Sequence, residues 1–114
     1  MITIYGIKNC DKCRAAQKWF AARNVQIIFH DLRVDGLDAE LYGNWQSTFA
    51  DGQLLNRRSQ TWRKIPPADR EELDISKERK LALRYPTLVK RPIVASGDKL
   101  CVGYDEAAWE NFCE

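Results

Sequence analysis

The sequence predicts an α/β fold: a strand–helix–strand opening, a helical insert and a strand–strand–helix close. Three observations predict it. Apolar residues alternate at the start of the chain and then switch to three- and four-residue spacing. The middle carries helical patterns and turn residues but no convincing strand. Near the end, Pro92-Ile93-Val94-Ala95 and Lys99-Leu100-Cys101-Val102 flank Ser96-Gly97-Asp98, a composition suited to a hairpin turn.

Taken in order, Ile2, Ile4 and their neighbours read as a short strand that stops at Gly6. From Asp11 to Arg23 the pattern is helical, with Ala15, Ala16, Trp19, Phe20 and Ala22 recurring on one side. Asn9 is placed to cap that helix from just outside. Asn24 ends it, because Asn tolerates the left-handed conformation. Val25 to His30 is a second strand, and this order is consistent with a parallel crossover. Leu37 to Phe49 reads as a helix with Leu37, Leu41, Trp45 and Phe49 along one face, broken by Asp51-Gly52. Short segments at Leu54-Leu55 and Thr61 to Ile65 precede Pro66-Pro67, and Ile75 to Arg84 is a further helix. The last helix runs from about Tyr104 to Phe112. Without repeats, low-complexity tracts or flexible linkers, residues 1–114 read as one domain with a helical insert at about 36–88.

A chain of 114 residues can bury a core without disulfide staples. Apolar residues make up 45% and charged residues 30%, the balance of a soluble globular protein. A net charge of +2 gives no field strong enough to draw nucleic acid or anionic lipid. The basic residues Arg57, Arg58, Arg63 and Lys64 do not form a nucleic-acid stripe. No apolar run approaches the roughly 20 residues that span a bilayer, and no basic head with an apolar stretch marks a signal peptide. A cytoplasmic protein with reduced thiols is therefore expected. There, four cysteines are not a disulfide framework, and a close pair points to redox chemistry or metal binding.

The close pair is Cys10 and Cys13, in Lys-Asn-Cys-Asp-Lys-Cys-Arg. Cys10 falls where the first helix begins, among unpaired backbone N–H groups and the positive end of the helix dipole. Both favour a thiolate. A thiol of pKa near 8.5 is only about 3% ionised at pH 7, and lowering the pKa to about 6 makes it roughly 90% ionised. Lys8, Lys12 and Arg14 add positive charge, and Asp11 opposes it. Cys13 lies one helical turn on, within reach of Cys10, so attack by Cys10 and closure by Cys13 is the chemistry the spacing suggests. Zinc usually needs four ligands, often two such pairs. Cys101, Cys113 and His30 do not repeat the spacing, so no metal site is expected. Cys101 reads as a core residue, Cys113 as an incidental thiol and His30 as structural.

Seven stretches in order, Tyr-Gly-Ile-Lys-Asn-Cys-Asp (5–11), Phe-His-Asp (29–31), Asp-Gly-Leu-Asp (35–38), Leu-Leu-Asn (54–56), Thr-Trp-Arg-Lys (61–64), Lys-Arg-Pro-Ile (90–93) and Val-Gly-Tyr (102–104), carry a family resemblance over nearly the whole chain. The sequence resembles the arsenate reductase (ArsC)-related family, in its YffB and Spx/MgsR group and closest to YffB. The resemblance implies a thioredoxin-like, glutaredoxin-type fold with a helical insertion. It implies that Pro92 is the cis-proline beside the active-site cysteine, and that Arg91 faces that cysteine. Arg58, with Arg57 beside it, falls where Spx-like members carry an arginine. An arginine near the sulfur both depresses its pKa and holds an anionic substrate. Of the three arginines that the family's arsenate reductases use, the first position reads Asn56 and the third falls in Val102-Gly103. Arsenate reduction is therefore not expected.

Two functions follow from the resemblance. One is a thiol-dependent reductase with glutathione as co-substrate, Cys10 as nucleophile, Cys13 resolving, and Arg91 with Arg57 or Arg58 binding an anionic group such as a carboxylate of glutathione beside Pro92. The other is a redox-sensing regulator of the Spx type, which binds the C-terminal domain of the RNA polymerase α subunit and senses oxidation through a cysteine pair, whose second cysteine Cys13 matches. Gly52 falls where Spx has a glycine important to that contact.

Overall fold

The computed structural model describes residues 1–50 and 52–113, which form two compact units: residues 1–36 with 91–113, and residues 37–90. Asp51, half of the expected Asp51-Gly52 break, lies outside the described residues. Among the described residues no helix is long and apolar enough to cross a membrane.

The first unit is built on a four-stranded mixed sheet of order β2-β1-β3-β4. Its strands are β1 (Ile2–Gly6), β2 (Ile27–Asp31), β3 (Ile93–Ser96) and β4 (Lys99–Val102). In β1 the buried positions alternate, Ile2, Ile4 and Gly6, as period-two patterning requires. Helix α1 (Asp11–Ala22) buries Cys13, Ala16, Trp19 and Phe20 and carries the chain to β2, which runs parallel to β1. Asn24, at φ 58°, ends α1 as expected. The Asn24 N–H bonds the Ala21 carbonyl at 3.0 Å and the Val25 N–H bonds that of Phe20 at 3.0 Å. This pairing is a Schellman closure. It also moves the second strand from the expected Val25 to Ile27, because the Val25 N–H is spent on the helix end.

β3 pairs antiparallel with β1, placing Val94 opposite Ile4, and β4 pairs antiparallel with β3, placing Cys101 opposite Val94. The β3–β4 turn uses Gly97 at φ 59°, where a side chain would be strained. The last helix starts later than Tyr104. It spans Glu106–Phe112, and Asp105 caps it by accepting the Ala108 N–H at 3.2 Å. Tyr104 instead packs edge-on against Trp109, at 4.6 Å between rings. The core holds Ile2, Ile4, Ala16, Trp19, Phe20, Val94, Cys101 and Trp109. Trp109 has no exposed surface, and its ring lies 5.5 Å from both Trp19 and Phe20.

The second unit is helical. It contains α2 (Ala39–Thr48), α3 (Gln60–Lys64), α4 (Pro67–Arg70) and α5 (Ile75–Arg84), with a 3₁₀ turn at Pro86–Leu88. Each longer helix opens on an aspartate cap: Asp38 accepts the Leu41 N–H at 2.8 Å, and Asp74 accepts that of Lys77 at 2.7 Å. The buried face of α2 departs from expectation. Tyr42 and Trp45 are buried, while Leu37, Leu41 and Phe49 are only partly covered. A polar contact turns the helix: the Tyr42 hydroxyl donates to the buried Glu78 at 2.7 Å, and Gln46 Nε2 donates to the same carboxylate at 3.2 Å. The other Glu78 oxygen accepts the Gly52 N–H at 3.0 Å. No strand forms here among the described residues. A single bridge joins Leu55 to Val89, flanked by bonds from the Asn56 N–H to Leu88 O (2.8 Å) and the Lys90 N–H to Leu54 O (2.7 Å).

Trp109→Ala removes the largest fully buried side chain of the first unit's core. It is expected to cost about 3–5 kcal/mol in urea unfolding, the range for a buried aromatic replaced by a methyl.

Candidate functional site

β1 runs into a short turn, Ile7-Lys8-Asn9, that delivers Cys10 to the start of α1. Asp31, the last residue of β2 and the register partner of Gly6, holds this turn. It is 6% exposed. One carboxylate oxygen accepts the Lys8 N–H at 3.0 Å, and the other accepts those of Arg33 at 2.8 Å and Val34 at 3.1 Å. Burial alone would raise the Asp31 pKa, but the three backbone donors and the nearby Arg33 charge hold it below the usual carboxylate value. The Leu32 N–H to Gly6 O bond at 2.8 Å and the Cys10 N–H to Ile7 O bond at 3.2 Å complete the turn.

Cys10 itself is the N-cap of α1, half-buried and extended at φ −110°, ψ 121°. Asn9, expected as the cap, lies one residue too early. Burial raises the Cys10 pKa, yet the net direction is down: the Cys13 backbone N–H, the Cys13 thiol and the Arg91 guanidinium all stabilise the thiolate. The cations credited from the sequence are not the ones at work. Arg14 is paired with Asp11 and reaches the Lys8 carbonyl, while Lys8 and Lys12 project into solvent.

Cys13 has no exposed surface. Burial first, and then the charge and hydrogen bond of the adjoining Cys10 sulfur, push its thiol up to about 12. The two sulfurs are therefore driven in opposite directions, and both are free thiols. Room for Cys13 comes from Gly6. A Cβ at that position would collide with Cys13 Sγ and lie 3.2 Å from Cys13 Cβ.

Arg91 and Pro92 come from the segment entering β3. The Arg91-Pro92 peptide is cis, and the buried Pro92 accepts the Gly103 N–H at 2.8 Å. Cys10, Cys13 and Arg91 thus meet within the first unit. Arg57 and Arg58 belong to the second unit and are exposed there. The Arg57 guanidinium lies 5.4 Å from the Trp62 ring, and the Arg58 N–H donates to Asn56 Oδ1 at 3.1 Å. Cys101 is a buried core sulfur on β4, Cys113 is exposed, and His30 Nε2 is fastened to Gly36 O at 2.7 Å.

The ArsC family model matches residues 5–112 of this chain. The chain belongs to the ArsC family. An uncharacterized protein of Haemophilus influenzae is 39% identical over 110 residues, covering 96% of each chain. The global transcriptional regulator Spx of Streptococcus pneumoniae is 26% identical over 108 residues, covering 93% of this chain and 80% of the regulator. Among solved structures, a YFFB protein aligns over the whole of both chains with 32% identity and a TM-score of 0.92. An arsenate reductase (ArsC) related protein from Brucella melitensis aligns over 99% of this chain and 94% of its own, with 40% identity and a TM-score of 0.77. The fold of this ArsC-family chain is accordingly thioredoxin-like, the mixed sheet carrying its helical insertion between β2 and β3.

Two residues that frame the site are not conspicuous in the sequence. Asp31 ends the Phe-His-Asp stretch, and its signal is a carboxylate closing an apolar strand. Gly6 reads as a strand end, although a glycine opposite the cysteine-bearing helix is also a sign of close approach.

Titrating thiolate ultraviolet absorbance should give a Cys10 pKa below the ordinary cysteine value near 8.5, and Arg91→Leu should raise it. Cys13 imposes a pH dependence on stability. Above about pH 8.5 the unfolded chain releases the Cys13 proton, while the folded chain keeps it until about 12. The unfolded state then binds fewer protons, so stability falls as pH rises through that window. Cys10 acts oppositely: its contribution is complete above about pH 8.5 and is lost as pH falls through its folded value. Denaturant unfolding between about pH 7 and 10 should therefore show a steeper loss in the wild type than in Cys13→Ala.

Proposed function

We propose that this chain is a thiol-dependent reductase that draws its electrons from glutathione. The observation that carries the reading is the opposite bias of two sulfurs one helical turn apart, one favoured as anion and one kept protonated. The Cys10 thiolate attacks a disulfide RS–SR′. Its S–S bond breaks, a Cys10–SR mixed disulfide forms, and R′S⁻ leaves and takes a proton from water. Cys10 is then neutral, so the charge that opposed ionisation of Cys13 is gone. Cys13 yields its proton to solvent and attacks the Cys10 sulfur, expelling RS⁻. The resulting Cys10–Cys13 disulfide is returned to two thiols by two glutathione molecules, which leave as glutathione disulfide. Arg91 stabilises the Cys10 anion at the start and as the leaving sulfur at the end. Of the arginines that arsenate reductases of the family use, Arg91 alone is matched here, so a disulfide rather than arsenate is the oxidised substrate proposed.

A second reading, an Spx-like redox-sensing regulator that binds the RNA polymerase α subunit, is favoured by the Cys10–Cys13 pair and by the Spx relatives. Gly52 is held at φ 77° in the second unit, with its N–H on Glu78.

Reduction of a model disulfide by glutathione separates the two. Wild-type protein should turn over and Cys10→Ser should not, and Arg91→Leu should lose roughly tenfold in kcat/KM, as for one charge-assisted contact. Two results together would decide for the regulator. One is absence of wild-type turnover. The other is oxidation-dependent binding to the C-terminal domain of the polymerase α subunit, abolished by Gly52→Arg.

A further inference from the structure

A cavity of about 380 Å³ opens on the first unit, lined by Ile7, Lys8, Asn9, Asp31, Arg33 and Val34. Half of that lining is the turn that ends on Cys10. The other half is the last residue of β2 and the loop that leaves it. The Asp31 carboxylate ties the two halves together by taking backbone N–H groups from both. The walls are therefore rigid, and the only negative charge among the lining residues is turned inward onto amides.

The charged side chains left facing solvent are Lys8 and Arg33, both exposed, with the neutral Asn9 exposed between Lys8 and Cys10. Among the described residues neither is in an ion pair; the pairs are Arg14–Asp11 and Arg23–Glu110. Val34 adds an apolar surface 78% exposed, and Ile7 an apolar floor. Two cations beside apolar surface suit an anion carried on a short aliphatic frame.

Building on the reductase reading, we infer that this cavity is the subsite for the glycyl carboxylate of glutathione, held by Lys8 and Arg33 while the thiol is joined to Cys10. Reach supports the assignment. Lys8 stands two residues before Cys10, in the turn that delivers that sulfur to α1, and the glycyl carboxylate stands one residue from the glutathione sulfur. Charge decides which end of the tripeptide enters. The γ-glutamyl end carries an ammonium beside its carboxylate, which two cations repel, whereas the glycyl end is a bare carboxylate. Arg33 can take that group through two parallel N–H bonds, and Lys8 meets it as a point charge. In the redox step itself, a glutathione thiolate attacks Cys10 of the Cys10–Cys13 disulfide, the Cys10–Cys13 bond breaks, and Cys13 leaves and regains its proton. The second glutathione thiolate then attacks the glutathione sulfur of the mixed disulfide and frees Cys10 as glutathione disulfide departs.

S-methylglutathione, which binds without reacting, tests the site on full-length Cys10→Ser protein by calorimetry. Adding Lys8→Gln and Arg33→Gln should weaken binding by roughly tenfold for each charge-assisted contact removed. In the parent the glycyl ethyl ester should bind weaker than the acid by a similar factor. In the double variant, acid and ester should bind alike, because the contact that distinguishes them is gone. Both substituted positions are exposed, and unchanged melting temperatures check that the fold is kept. No binding of S-methylglutathione, equal binding by parent and double variant, or equal binding of acid and ester by the parent overturns the assignment. Turnover of the model disulfide by wild-type protein is scored separately. Its absence beside the expected binding pattern removes the reductase reading and leaves the subsite standing.

Discussion

The first unit depends on one buried carboxylate. Asp31 closes β2 in register with Gly6 and accepts three backbone N–H groups, one from the turn after β1 and two from the loop after β2. Each donor would otherwise be a poorly satisfied amide at a strand end, where loss of a partner is costly. Charge makes the carboxylate a strong acceptor, and the amides in turn keep it ionised. With the turn held this way, Cys10 has a fixed place at the N-cap of α1 instead of swinging on a loose connection.

From that position the contrast between the two thiols follows by geometry. Cys10 stays half-exposed and faces an N–H, a thiol and a guanidinium; Cys13, three residues on, is turned into the packed interior against Gly6. Desolvation acts on both sulfurs in the same direction. It prevails at Cys13, which has to face the negative charge of its neighbour, and it is overcome at Cys10 by donors. The asymmetry needs no metal and no exotic residue, only one turn of helix with one end wet and the other dry.

The second unit holds its own buried charge. Glu78 accepts the Tyr42 hydroxyl, a Gln46 N–H and the Gly52 N–H, so α2, α5 and the Gly52 turn meet at one side chain. Burial and the adjacent carboxylate raise the Tyr42 pKa, which keeps the hydroxyl available as a donor. A polar centre of this kind selects one rotation of α2 over the more hydrophobic stripe its sequence offered, because an unpaired buried carboxylate costs more than a half-covered leucine.

The sequence by itself determined the elements whose cause is local. Ile75–Arg84 and Lys99–Val102 were legible residue for residue, Asn24 announced its left-handed helix stop, and the Cys10–Cys13 spacing gave two sulfurs one turn apart. Periodicity, caps and turn residues act over three or four positions, so they can be read in order along the chain. Tertiary structure alone decided which charges reach the sulfur. Lys8, Lys12 and Arg14 are neighbours in sequence but point elsewhere, and Arg91 reaches Cys10 because β3 pairs with β1 in the register that sets Val94 against Ile4. Resemblance to a family named Arg91 in advance; composition and spacing did not. Asp31 and Gly6 stayed hidden for the same reason, since a backbone amide and a missing Cβ leave no pattern in the sequence until strand pairing brings the partners together.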